Sequence, residues 1–190
     1  MARLKIINYG HPLLREKAHD IKKVGSRERE LIAAMAETMY AARGIGLAAN
    51  QVGVLERIFV VDVDQDREAT GPEPARRLRV FINPEIIEES PDDEPFTEGC
   101  LSIPGIEGEV YRPKAIRIAA RDENFEPFVA DADALLARVI QHELDHLNGV
   151  LFVDRLPMLK RQLLAGKLAR MRRESLAEFE ALGPSYPIEV

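Results

Sequence analysis

Histidine, glutamate and histidine stand at 142, 143 and 146 as His-Glu-x-x-His, and the chain's single cysteine, Cys100, lies in the run Glu98-Gly99-Cys100-Leu101-Ser102. On an α-helix, positions i and i+4 share a face, so His142 and His146 can each turn a ring nitrogen toward one ion. Glu143, one position on, falls beside that ion, where a carboxylate can take and return a proton. Two imidazoles and one thiolate leave the fourth tetrahedral position open to water, as in catalytic rather than structural sites. The chemistry is metal-assisted hydrolysis. Each residue has an ordinary reading as well: paired histidines are often satisfied side chains, and a lone cysteine is usually a small buried apolar group. The helix separates the two readings. Its apolar stripe of Leu136, Val139 and Ile140 continues into Glu143 and Leu147, which turns a carboxylate toward the core, a costly placement unless the group is paired or used.

The chain that must hold these groups has 190 residues, 46% of them hydrophobic and 31% charged, and is read as one domain spanning 1–190. No apolar run is long enough to span a bilayer, and the amino terminus lacks the apolar core of a secretory signal, so no membrane partner and a cytoplasmic location are expected. One cysteine makes no internal disulfide, and a thiolate ligand needs a reducing compartment. A formal charge of −6 excludes a general nucleic-acid surface, so no DNA partner is expected.

Along the chain, a helix is expected from Ser26, its N-cap, with an inward stripe of Leu31, Met35, Thr38, Met39 and Ala42. Residues 58–63 and 78–82 read as strands, joined by an exposed polar connection over 64–77. The acids and prolines of 88–95 suggest a solvated turn. Residues 115–121 alternate as a half-buried strand does, with 125–129 as a pairing partner across Asp122-Glu123-Asn124. Asp131 or Asp133 caps the metal helix and Asn148-Gly149 closes it. A short strand is expected at 150–153. Pro157 then opens a long helix whose apolar side is Leu159, Leu163, Leu164, Leu168, Met171, Leu176 and Phe179, ended by Gly183-Pro184. Residues 186–190 receive no assignment. The fold class is α+β: mixed or antiparallel sheets packed around a central metal-binding helix, with an N-terminal helix and a long C-terminal helix.

The segment 44–53 lacks the spacing of a phosphate-binding loop. Its glycines suit either backbone lying against a ligand, with Gln51 offering an amide donor, or a tight turn after the first helix. At this point the chain resembles the bacterial peptide deformylases, which remove the formyl group from the initiator methionine of nascent polypeptides. Three motifs carry the resemblance in order: Gly-x-Gly-Leu-Ala-Ala-x-Gln at 44–51, Glu-Gly-Cys-Leu-Ser at 98–102, and Gln-His-Glu-x-Asp-His-Leu-x-Gly at 141–149.

The resemblance implies Cys100, His142 and His146 as ligands of one divalent ion, Fe(II) in many members, with Zn(II), Ni(II) or Co(II) as alternatives. Ligand types alone do not choose among these, although a blue-copper centre would leave the inward Glu143 without a role. It also implies Glu143 as general acid and base, activating a water to attack the formyl carbon. The Gln51 amide and the Leu101 N–H then face the developing negative charge on the formyl oxygen. Formyl-Met nascent peptides would lie extended against Gly44, Ile45, Gly46, Glu98 and Gly99. Ile45, Leu135, Val139 and His142 are expected to form the methionine pocket, with Arg138 at its mouth and tolerance for sequence beyond the methionine. Glu98 would orient the site, and Asp145 with Arg112 would form a supporting pair. The rival enzyme is an His-Glu-x-x-His metallopeptidase, whose usual downstream third ligand is missing. A binding role is also written into the last helix, where Lys160, Arg161, Lys167, Arg170, Arg172 and Arg173 form a basic element suited to docking on ribosomal RNA. An ordinary solvated helix face is the alternative.

Overall fold

The computed structural model describes residues 3–64 and 76–182. In chain order its elements are α1 (Ser26–Ala41), β1 (Gly46–Ala48), β2 (Ile58–Val61), β3 (Arg79–Glu89), β4 (Asp93–Cys100), β5 (Ile103–Pro113), β6 (Ala115–Arg121), β7 (Pro127–Asp133), α2 (Ala134–Leu147) and α3 (Met158–Leu182). Five strands form an antiparallel sheet in the order β1-β2-β3-β6-β7, and β4 pairs with β5 in a separate hairpin. The α+β class expected from the sequence is the class observed.

The strand β2 shows why this sheet needs helices on both sides. Ile58-Phe59-Val60-Val61 is apolar at every position and buried throughout, as a strand covered on two faces must be. Phe59 and Val61 pack with Val139, Ile140 and Leu147 of α2, while Ile58 and Val60 pack with Leu31, Met35 and Met39 of α1. A third cluster joins Ile7, Leu14, Ile103, Val110, Phe152 and Leu168, which fastens the hairpin and α3 to the segment following α2.

Several local expectations change. Gly25, not Ser26, is the N-cap of α1, and Glu28 accepts a hydrogen bond from its N–H at 2.6 Å. The stretch 88–95 is mostly strand: the exposed ends of β3 and β4 hold the acids at a rim where charge and proline discourage further strand pairing. Residues 150–153 form no strand. They run into a 3-10 turn, Phe152–Asp154, where Asp154 accepts from the Leu151 N–H at 2.9 Å. The pairing proposed for 115–121 is present, but β7 is displaced along the chain, with Phe125 at φ 68° in the turn. Asp133 occupies the N-cap position of α2 without a side-chain cap bond. In α3, Leu168 is buried while Leu159 and Leu163 are 70% and 76% exposed, so the first turns project beyond the core their apolar stripe was expected to join. Residues 65–75 of the connection, the helix stop at 183–184 and the tail 186–190 lie outside the described residues.

Gly149 ends α2 in the left-handed region at φ 73°, and a Cβ there would collide with the Arg15 carbonyl oxygen. Gly149→Ala should therefore destabilise the fold by about 2 kcal/mol. The measurement is a urea unfolding midpoint at constant slope, and an unmoved midpoint would refute the account.

Candidate functional site

Helix α2 is buried around most of its circumference, and its polar side chains are therefore forced into contact with other elements. Its front face brings His142, Glu143 and His146 against the turn that ends β4. A register break in the hairpin pairs Gly99 with Glu107 but Cys100 with Ile103, and this bulge re-aims the cysteine. The Cys100 sulfur lies 3.2 Å from His146 Nε2. Ligand atoms of Cys100, His142 and His146 all fall within 4.8 Å of one another, a spacing one ion can bridge.

His142 is oriented by Glu98, whose Oε2 lies 2.9 Å from Nδ1. The ionised carboxylate can only accept, so the proton sits on Nδ1 and Nε2 is left for an ion. Glu98 is itself gripped: Arg112 donates to it from Nε at 2.7 Å and Nη2 at 2.9 Å, and Arg138 donates from Nη1 at 3.2 Å. Arg112 reaches Asp145 with its remaining arm at 2.7 Å, and Arg155 binds both oxygens of Asp145 at 2.5 Å. Burial would raise the pKa of Glu98, but the hydrogen bonds from Arg112 and His142 overcome it and hold the group down at about 2. For His142, burial lowers the pKa, yet contact with the Cys100 sulfur and with Glu98 raises it to about 10. Burial holds His146 well below its ordinary value.

Glu143 is 4% exposed, its Oε2 has no hydrogen-bond partner among the described residues, and burial lifts its pKa to about 7. Gly46 makes this possible from the opposite wall, because a Cβ there would fall onto the Glu143 carboxylate. Gln51 is aimed by its own backbone: Oε1 accepts from the Ala48 N–H at 2.8 Å, which turns Nε2 toward Ser102 Oγ at 3.2 Å and Cys100 Sγ at 3.5 Å. The donor set, the partnerless Glu143 oxygen and the Nε2 of His142, turned toward the Cys100 sulfur, fit a catalytic divalent ion.

These groups line a cleft of about 400 Å³ between the free edge of β1 and the hairpin. Gly44, Ile45, Gly46, Gln51, Glu98, Gly99, Cys100, Leu101, Leu135, Val139, His142 and Glu143 all border it. Asp145 and Arg112 do not; they border a larger cleft of about 880 Å³ behind α2 that contains none of the ligand residues. Arg138 lines the cleft as expected, with its charge already engaged. It is 6% exposed and donates to the backbone carbonyls of Glu94 and Val110 as well as to Glu98. Phe96, Ile103, Ile106, Arg43 and Glu107 also line the cleft and were missed from sequence. Alternation along β5 marks Ile106 as an inward residue, but no local signal assigns the other four.

A family model for polypeptide deformylase matches residues 3–162. Peptide deformylase 1 of Burkholderia multivorans is 47% identical over 173 residues, covering 91% of each chain. The peptide deformylase of Azotobacter vinelandii is 48% identical over 174 residues, 92% of this chain and 99% of that one. Among solved structures, a peptide deformylase from Legionella pneumophila superposes with a TM-score of 0.80 at 38% identity, covering 92% and 98% of the two chains. One from Plasmodium falciparum gives 0.83 at 35% identity, with 91% and 98% covered.

Replacing Glu98 by glutamine leaves Arg112 and Arg138 facing a neutral group, which should cost about 3–5 kcal/mol at neutral pH. The native carboxylate titrates near 2 against an ordinary 4.5, so its contribution is complete above 4.5 and is lost as pH falls toward 2. Acid unfolding of the metal-free protein should thus be flatter across that window in Glu98→Gln than in wild type. Parallel acid limbs would refute the assignment.

Proposed function

The chain belongs to the polypeptide deformylase family, and on that premise we propose how its own residues remove the N-formyl group from nascent polypeptides. The observation that carries the reading is the convergence of Cys100, His142 and His146 within 4.8 Å, beside a buried Glu143 with an unpartnered oxygen. Cys100, His142 and His146 would hold one divalent ion, Fe(II) in our reading, with Zn(II), Ni(II) or Co(II) as substitutes. When bound, that ion supplies Lewis acidity to the attacking water and the formyl group.

The protein's part is positioning and proton transfer. Glu143 takes the proton of the attacking water and returns it to the leaving amine, a role suited to a carboxyl group whose burial raises its pKa to about 7. The Gln51 amide, held by Ala48, and the backbone N–H of Leu101 face the formyl oxygen as negative charge collects there. Gly44, Ile45 and Gly46 on one wall and Glu98 and Gly99 on the other offer backbone edges to an extended peptide. Leu135, Val139 and Ile45, joined by Ile103 and Ile106, give the methionine side chain an apolar pocket. Glu98, Arg112 and Asp145 keep His142 in the tautomer that presents Nε2. We read residues 1–190 as one catalytic domain. The metallopeptidase alternative has no support among the relatives above.

No described helix is long and apolar enough to cross a membrane. A cytoplasmic site of action is proposed because formylated chains emerge there and a thiolate ligand needs a reducing medium. Docking on the ribosome through α3 is supported by Lys160, Arg161, Lys167, Arg170, Arg172 and Arg173, all exposed on one helix of an acidic protein.

Formate release from a formyl-Met peptide tests the chemistry. Anaerobically purified enzyme should be active, lose activity in air and regain it with Ni(II). Glu143→Ala should keep its metal while turnover falls roughly a hundredfold to ten-thousandfold. An unchanged rate in that variant would remove Glu143 from the mechanism. The triple variant Lys160→Glu, Arg161→Glu, Lys167→Glu should fail to co-sediment with ribosomes at low salt; undiminished co-sedimentation would reject docking through α3.

A further inference from the structure

Five acidic or basic side chains besides His142 line the peptide cleft, and three are already committed: Glu98 and Arg138 to each other and Glu143 to the ligand cluster. The other two, Arg43 and Glu107, are exposed, and neither makes an ion pair or side-chain hydrogen bond among the described residues. They carry opposite charges and stand on opposite walls.

Arg43 follows the end of α1, with its N–H bonded to the Tyr40 carbonyl at 3.0 Å and that of Gly44 to Met39 at 2.9 Å. Its φ is 56°, the left-handed conformation for which glycine is the relaxed choice at a helix end. A long cation thus occupies a position where backbone preference argues for no side chain at all, and it does so beside the three residues of the peptide-binding wall. Glu107 sits directly across the hairpin from Gly99. Its Oε1 is 4.0 Å from where a Gly99 Cβ would stand, so the missing side chain leaves the carboxylate lying over the other peptide-binding edge.

Gly46, pressed against Glu143, marks the formyl end of the cleft. Arg43 is three residues back from it along the same wall, and both border the cleft. A peptide held with its formyl carbon beside Glu143 and running extended along that wall carries its second and third residues toward Arg43, counting methionine as the first. We propose that Arg43 and Glu107 form a two-signed rim that reads the charge of the second and third residues of the formylated peptide, a specificity that rests on the deformylase reading of the site. Arg43 favours acidic side chains there and Glu107 favours basic ones, so the expected tolerance beyond methionine has an electrostatic bias.

The test uses metal-loaded full-length enzyme and three peptides, formyl-Met-Ala-Ala-Ala, formyl-Met-Glu-Glu-Ala and formyl-Met-Lys-Lys-Ala, each as the C-terminal amide. The quantity read is kcat/KM for the acidic peptide divided by that for the basic one, a ratio from which any general loss of active protein cancels. Arg43→Glu should lower the ratio and Glu107→Arg should raise it, each by roughly five- to tenfold at low salt, as expected for several exposed charge pairs acting together. The double exchange should return it to within about twofold of wild type. The shifts should appear in KM rather than kcat and fade near 1 M salt, where the screening length is about 3 Å. Ratios that stay together in all four proteins, while the neutral peptide is still deformylated, would overturn the rim alone. So would a shift that persists at high salt. No formate from the neutral peptide with wild-type enzyme would overturn the deformylase reading, and the rim with it.

Discussion

Glu98 is a buried anion that everything near the metal ligands has to accommodate. It is 5% exposed, and two guanidiniums and one imidazole donate to it. Ion pairs this deep contribute little net stability, because desolvation offsets most of their attraction, and apolar residues of similar size would fold the chain as well. Their use lies in direction. A nearly buried anion with saturated lone pairs admits one arrangement of its donors, and one of those donors is His142, an imidazole proposed as a metal ligand. The strand that carries Glu98 also carries Cys100 two residues later, so a single short stretch both supplies one of the proposed ligands and orients another.

That arrangement matters because the hairpin β4–β5 is not part of the main sheet. No strand ladder sets its position relative to α2, which carries the histidines. Three arginines take over that task. Arg112 on β5 reaches Asp145 on α2, Arg138 on α2 reaches the Val110 and Glu94 carbonyls of the hairpin, and Arg155 closes the second side of Asp145. The distance between Cys100 and His146 therefore depends on charged side chains meeting backbone carbonyls and carboxylates across two units that share no strand ladder. Side-chain contacts of this kind are directional, whereas the apolar cluster beneath them fills space without selecting an angle.

Local chemistry was legible in the sequence where one element carried it. The apolar stripe of α2 running into Glu143, the alternation of 115–121 and the solid apolar run of β2 each declare a face or a buried strand without outside help. Elements defined by what they pair with were harder. The acids and prolines of 88–95 look like a turn because local propensity cannot register the partner strand. The first turns of α3 have the composition of a buried stripe, yet nothing in those residues states where the core stops. Arg138 lines the cleft as its place on the helix suggests, but its carbonyl partners lie more than twenty-five residues away in the chain. Phe96, Ile103, Arg43 and Glu107 reach the cleft only because the hairpin folds across α2 and the end of α1, a long-range event with no local signature.

The charge balance around α2 also accounts for the Glu143 oxygen that has no hydrogen-bond partner among the described residues. Glu98 and Asp145 are matched by Arg112, Arg138 and Arg155, so the rear of the helix needs no further anion. On the front face, a divalent ion bound in our reading by the Cys100 thiolate and by His142 and His146 as neutral imidazoles, displacing the proton that His142 otherwise holds, would keep one unit of positive charge in a buried site. Glu143 is the carboxylate on that face, and Gly46 is open enough to let it stand there. Its ionised form is unfavourable by burial alone and would become favourable beside such an ion. A carboxyl group whose charge depends on what stands next to it gains and loses protons with small changes in its surroundings. The conditions that make Glu143 costly to the fold are thus the conditions that would suit it to the proton transfer proposed for it.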